Sequence, residues 1–178
     1  MTAVMERETQ SHSEESVLDL GGKYLTFMLD NEEYGIEILK VREIIGIMDI
    51  TNVPQTPDFV EGVINLRGKV IPVMELRRRF GMEHVDDSSN TCIIVVGLRT
   101  KSGEVQMGTL VDTVSEVLDV AAVDIEPAPA FGGGAGVDTS FILGMAKTKG
   151  TVRILLDIDR ILNAEELDQV SEIPTGAK

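Results

Sequence analysis

The chain holds one cysteine, Cys92, and two histidines, His12 and His84. A single thiol excludes an intramolecular disulfide and any multi-cysteine metal site. Two histidines leave little for a histidine-based site. No metal and no cofactor is therefore expected. Tryptophan is absent, and two tyrosines with five phenylalanines give few platforms on which bases stack. Positive charge is also scarce: 16 Lys+Arg stand against 30 Asp+Glu, a net charge of −14. Phosphates are repelled by such a surface, so neither nucleic acid nor an anionic membrane is expected as the main partner. No apolar run reaches the roughly 18–20 residues of a membrane-spanning helix. The N-terminus is polar and acidic and lacks the apolar segment of a secretory signal. With the lone cysteine, these absences lead to the expectation of a cytoplasmic protein.

What is present is a substantial apolar fraction, 43% of 178 residues. That suffices for one ordinary domain, or two small units sharing a core. Residues 1–22 are rich in Ser, Thr and Glu without periodicity and read as a disordered arm. The ordered domain is expected over 23–167, and 168–178 reads as a mobile tail. Tyr24–Leu29 and Glu33–Ile38 read as a hairpin around an Asp30–Glu33 turn. Val41–Ile47 reads as a strand or a helix, since short apolar runs fit both. Glu61–Leu66 and Lys69–Met74 flank a turn at Arg67 and Gly68, and Leu76–Phe80 is a short helix stopped by Gly81. After a polar loop, Thr91–Leu98, Glu104–Leu110, Thr113–Leu118, Phe141–Lys147 and Thr151–Leu156 read as strands. Ile158–Leu162 reads as a second short helix.

The second series repeats the first. Gly35, Val41, Glu43 and Ile44 recur as Gly108, Val114, Glu116 and Val117, at an offset of 73. Phe59, Gly62 and Gly68 recur as Phe141, Gly144 and Gly150, at an offset of 82. The difference, 82 − 73 = 9 residues, falls in the Pro- and Gly-rich stretch between Ala121 and Ser140. A strand-rich unit of about 60 residues is marginal alone. Used twice, at about 23–80 and 91–162, it points to a mainly β fold of two small five-stranded, SH3-like barrels. They would share a hydrophobic seam that hides edge strands.

No catalytic constellation is visible. Neither histidine has a nucleophile or orienting acid beside it in any triad order. Cys92 sits inside TCIIVV and reads as a core thiol. The run Gly132–Gly136 lacks the Lys-Ser/Thr of a phosphate loop and reads as a connector. Asp30–Gly35 fails as a calcium loop because Tyr34 stands at a ligand position. One local reversal of charge stands out: Arg67, Lys69, Arg77, Arg78 and Arg79 surround a single acid, Glu75. Two readings of it remain open, a docking patch for an acidic partner or salt bridges within the fold. Arg67 is set apart by its place at a turn apex, where a side chain reaches outward; its repeat counterpart is Lys149.

Four segments carry a resemblance. KYLTFMLDNEEYGIEILKVREI, PQTPDFVEGVINLRGKVIPVMELRRRFG, LVDTVSEVLDV and GMAKTKGTVRILLDIDRILN are similar to the CheW-like domain family of bacterial chemotaxis, over about Lys23 to Leu167. The segment GVINLRGKVIPVMELR is the most specific. The same domain also occurs within the kinase CheA and in CheV; a chain of this length is expected to be the free-standing form. The resemblance implies two β-barrels sharing a seam and no catalysis. It implies an adaptor that joins the cytoplasmic signalling tip of chemoreceptors to the regulatory domain of CheA. Such an adaptor is recruited to the inner face of the membrane through receptor arrays, without inserting into it. The output, flagellar, pilus-linked or other, is left open. The receptor-contacting positions implied here are Val41, Glu43, Asn65, Arg67 and Val117, with Gly62 and Gly68 shaping the turn. Kinase-contacting residues are not assigned. An alternative reading makes Val41 and Val117 core positions, and Glu43 a partner of Arg42 or a nearby lysine.

Overall fold

The computed structural model describes residues 20–83, 85–101, 103–128, 140–162, 165–167, 169 and 170. Most of the 1–22 arm, His12, His84, Gly132–Gly136 and positions 168 and 171–178 lie outside the described residues. Eleven strands follow in chain order: β1 Gly22–Leu29, β2 Glu32–Glu37, β3 Val41–Gly46, β4 Val60–Leu66, β5 Lys69–Glu75, β6 Cys92–Thr100, β7 Gly103–Val111, β8 Thr113–Val120, β9 Ile125–Glu126, β10 Ile142–Thr148 and β11 Thr151–Leu156. A short α-helix, α1 (Leu76–Arg79), follows β5, and a 3₁₀ turn at Ile158–Arg160 follows β11. The VREIIG segment is a strand, β3, with side chains alternating between partly buried and exposed. That period of two belongs to a strand lying over a core.

The architecture is mainly β, in two sheets. One has the order β8-β1-β2-β11-β10-β9, the other β3-β6-β7-β5-β4. The first sheet thus carries six strands, one more than the expected five, because the two-residue β9 pairs with Met145 and Ala146. The repeat explains the rest. If β1 to β5 are matched to β6, β7, β8, β10 and β11, the two orders become identical. Each sheet combines the first hairpin of one repeat with the last three strands of the other. The sequence halves at 23–80 and 91–162 therefore do not coincide with the sheets: the first hairpins have been exchanged.

The registers confirm the equivalence. Gly35 lies beside Leu155 in the parallel pair of one sheet, and Gly108 beside Val73 in the other. These pairs differ by 108 − 35 = 73 and 155 − 73 = 82, the two offsets of the sequence repeat. Both sheets also bulge at equivalent places, between Val60 and Gly62 and between Ile142 and Gly144. At Gly62 the bulge admits another backbone: Thr51 and Val63 exchange hydrogen bonds of 2.8 and 2.9 Å. A Cβ at Gly62 would sit 2.2 Å from the Thr51 carbonyl oxygen, at a φ of +155°. Gly62→Ala is accordingly expected to cost more than about 2 kcal/mol, read as a lower urea midpoint. A loss within about 0.5 kcal/mol would show that the backbone at Thr51 detaches freely.

Three apolar clusters hold the fold. One lies within the first sheet (Tyr24, Leu118, Val120, Ile125, Ala146, Leu155) and one within the second (Ile64, Ile71, Val73, Ile93, Val95, Leu110). The third and largest is the seam, where Phe27, Ile36 and Leu156 of one sheet meet Val96, Met107 and Met74 of the other. An offset ring stack continues it from Phe27 through Tyr34 and Phe80 to Phe141, with centroid spacings of 5.9, 5.9 and 5.0 Å. Two boundaries move. Leu20 packs on the first cluster and Gly22 opens β1, so the arm read over 1–22 reaches too far into the domain. Val170, read as tail, is fully buried in the seam.

Candidate interaction site

The turn joining β4 to β5 is built by its sequence. Arg67 and Gly68 both have positive φ, 53° and 85°, the two-residue hairpin geometry that favours Gly or Asn. Asn65 Oδ1 accepts the Gly68 amide at 2.8 Å and closes the turn. Lys149 and Gly150 repeat the geometry at 51° and 76°. Gly68 therefore shapes the turn. Gly62 does not: it stands at the other end of β4 and shapes the bulge.

From this turn Arg67 reaches to β3, the opposite edge of its sheet. Its guanidinium grips Glu43 with two parallel hydrogen bonds, Nη1 to Oε1 at 2.8 Å and Nη2 to Oε2. The paired bonds hold the Glu43 carboxyl below the usual carboxylate range and push the Arg67 guanidinium up. Glu43 is thus the partner of Arg67, rather than of Arg42 or a lysine. Arg42 instead pairs with Glu104. The ion pair ties edge strand β3 to the tip of edge strand β4, so it curls the sheet toward closure.

Of the five implied contact residues, Glu43, Asn65 and Arg67 form one group. Val41 heads β3 and packs partly buried against the seam cluster. Val117 stands on β8 of the other sheet and is 52% exposed. Its repeat counterpart at the offset of 73 is Ile44, also exposed, which the sequence repeat pairs with Val117 but the resemblance does not count among the contact positions. Val70 and Val152 form a second exposed pair, at the offset of 82. The three arginines of α1 resolve as salt bridges within the fold: Arg77 binds Asp112, Arg78 binds Glu75 and Glu61, and Arg79 binds Glu166. Cys92 is partly buried rather than wholly core, with Sγ 3.2 Å from the Asn90 carbonyl.

Among the described residues, no group of three His, Cys, Asp or Glu could hold a metal ion. No described helix is long and apolar enough to cross a membrane. The perturbed carboxyls belong to ion pairs and to one structural joint, at Glu37. Burial there pushes the Glu37 carboxyl up, Lys40 opposes this, and Asp157 and Asp159 reinforce it. A carboxyl whose pKa is raised by folding favours the fold below its unfolded pKa and loses that contribution as pH rises through the folded value. At neutral pH the ionised Glu37 therefore weakens the fold. Glu37→Gln is expected to raise the thermal midpoint at pH 7, with the gain vanishing below about pH 4. An equal gain at both pH values would assign the effect to packing rather than charge.

The family model of the CheW-like domain matches residues 23–166. The chain is 40% identical over 154 residues to the chemotaxis protein CheW of Klebsiella aerogenes, covering 86% of this chain and 89% of that one. It is 36% identical over 141 residues to the chemotaxis protein CheW of Thermotoga maritima, covering 78% and 85%. The crystal structure of the scaffolding protein TtCheW from Thermoanaerobacter tengcongensis superposes with a TM-score of 0.71 at 36% identity. It covers 83% of this chain and 97% of that one. The mainly β two-sheet fold, the family model and the near-complete coverage of these relatives agree, and the chain belongs to the CheW family of chemotaxis scaffold proteins, which are not enzymes.

Proposed function

We propose that this scaffold couples the cytoplasmic tip of chemoreceptors to the histidine kinase CheA, and that the receptor docks beside the Arg67–Glu43 pair. The observation that carries the reading is the Arg67–Glu43 ion pair, which joins the β4–β5 turn holding Asn65 to the opposite edge strand β3, where Ile44 next to Glu43 is exposed. A receptor tip is a helical hairpin, and such partners dock on apolar surface with a charged rim. Ile44 and Ile47, 44% and 39% exposed, supply the apolar part. Val117, on the other sheet, would extend that surface across the seam. Recruitment to the inner membrane face follows from the receptor, since no described helix could span the bilayer.

Pull-down of the chain with a receptor signalling fragment, with and without CheA, tests this directly. Capture by each partner separately, and a ternary complex when all three are mixed, is the expected result. Capture by CheA alone, at concentrations where the receptor fragment is otherwise competent, would leave a scaffold without receptor coupling.

A further inference from the structure

Five cations gather at one end of the β3-β6-β7-β5-β4 sheet: Arg42, Arg67, Lys69, Arg99 and Lys101. The registers bring these strand ends together. Val41 lies beside Val96 and Arg99 beside Glu104, while β5 runs parallel to β7. Two acids stand among the cations, and each is already engaged: Glu43 by Arg67 and Glu104 by Arg42. The bordering pair, Lys40 with Asp159 of the turn after β11, is neutral in itself. The balance is 5 − 2, a charge of +3, in a chain of net −14. Lys69, Arg99 and Lys101 are exposed, and their side chains make no ion pair or hydrogen bond among the described residues.

Glu104 is the centre of the group. Arg42 reaches it across β6, over Gly97, where a Cβ would collide with the carboxylate. Arg99 is its register partner on β6. Continuing the β5–β7 register back four residues from Val73 and Gly108 brings Lys69 level with Glu104. Four steps is an even number, so both side chains leave on the same face. The hydrogen bond from Arg42 holds the Glu104 carboxyl below its usual range, and the charges of Lys40 and Lys69 add to it. One carboxylate neutralises one cation, so Lys69 and Arg99 keep their charge, and Lys101 at the hairpin tip adds a third. The fold does not ask for these cations. At the offsets of 73 and 82, Arg42 and Lys69 correspond to Ser115 and Thr151. The hairpin that matches β6–β7 in the other sheet turns at Asp30–Glu33 and carries three acids in place of Arg99 and Lys101.

We infer that Lys69, Arg99 and Lys101 form a cationic strip that takes an acidic stretch of the receptor tip, beside the Arg67 turn. This rests on the receptor reading proposed above and adds the chemistry of the partner, which is carboxylates on the docking helix. From Arg42 on β3 to Lys69 on β5 the cations span three strand spacings, about 14 Å. That is the length of about nine helical residues, so acids three or four residues apart on one helix face meet the strip in turn. Exposed charges of this kind act mainly by steering. They raise the rate of encounter with an oppositely charged partner and leave dissociation to the apolar contacts. The rest of this chain repels an acidic partner, so the strip sets the side from which it approaches.

The test follows association and dissociation of the whole chain with one receptor signalling fragment by stopped flow. It is run at about 0.1 M and about 1 M salt, where screening lengths are about 10 and 3 Å. Lys69→Ala, Arg99→Ala and Lys101→Ala together are expected to slow association at least about tenfold at the lower salt, with dissociation changed less than about threefold. The difference from the parent should close at the higher salt. Lys23→Ala, Lys147→Ala and Lys149→Ala together remove the same charge from the other sheet and should slow association less than about threefold. All six side chains are exposed, so circular dichroism and the thermal midpoint should match the parent in both sets. Equal slowing by the two sets overturns the strip, because net charge alone then accounts for it. Unchanged association in the first set overturns it too, and leaves the receptor reading standing. Slowing toward a CheA fragment but not toward the receptor assigns the strip to the kinase and overturns it as a receptor contact. A parent that does not bind the receptor fragment at either salt removes the receptor reading itself, and this inference with it.

Discussion

Replacing Arg153 by alanine is expected to destabilise the fold by about 3–5 kcal/mol, the loss typical when one member of a buried ion pair is removed. Arg153 on β11 lies 2.9 Å from Glu33 of β2, and the two side chains are only 8% and 15% exposed. Its Nη1 also donates to Thr148, at 3.1 Å to the carbonyl and 2.5 Å to the hydroxyl. Alanine would leave the Glu33 carboxylate desolvated and unneutralised between two strands. The repeat shows that a charge is not required at this place in the fold. The equivalent of Arg153 in the other sheet, at 153 − 82 = 71, is Ile71, which is 1% exposed in its apolar cluster. Arg153→Met combined with Glu33→Leu is therefore expected to fall close to the parent. Urea unfolding of the single and double variants decides the matter. A single variant that loses less than about 1 kcal/mol would show that water reaches the pair and screens it.

Arg67→Ala is expected to weaken binding to a receptor tip by about 10- to 100-fold while leaving the unfolding midpoint nearly unchanged. The side chain is 71% exposed and Glu43 is its partner, so folding depends little on it. Kinase binding should fall less. Arg67→Glu should be worse than alanine, because it sets two carboxylates against each other at the sheet edge, and its defect should shrink with added salt. The exchanged pair, Arg67→Glu with Glu43→Arg, separates two roles. Recovery of receptor binding in the exchanged pair would mean that the pair acts by holding β3 against the turn. Continued loss would mean that the receptor reads a positive charge at position 67. Calorimetric titration of each variant with one receptor fragment gives the comparison. Normal binding by both single variants, with an earlier melt, would make Arg67 a structural residue only.

The family, the strand content and the site turn were legible in the order of residues because each is a local property. Strand and turn signals act over a few positions: Arg67-Gly68 and Lys149-Gly150 are hairpin turns wherever they sit, and GVINLRGKVIPVMELR carries its resemblance unaided. The repeat was legible for the same reason, since a constant offset needs no contact to be seen. β9 was missed because two residues have no period. The partner of Glu43 was missed because Arg67 is 24 residues away, beyond the reach of any local spacing rule.

The exchange of first hairpins lay beyond the sequence altogether. Identical offsets of 73 and 82 are compatible with each repeat folding on its own or with the two trading hairpins. The pairings of β2 with β11, β1 with β8, β7 with β5 and β6 with β3 distinguish them. The physical cause lies in the seam: a strand-rich unit of this size buries too little apolar surface alone. Exchanging hairpins lets both sheets complete themselves and leaves Phe27, Ile36, Val96 and Met107 to meet in one core. The same exchange turns Ile38–Lys40 and Asp112 into the two places where the chain passes between sheets. Composition therefore decided that the chain needed a partner unit, and the tertiary structure decided that the partner would be its own other half, strand for strand.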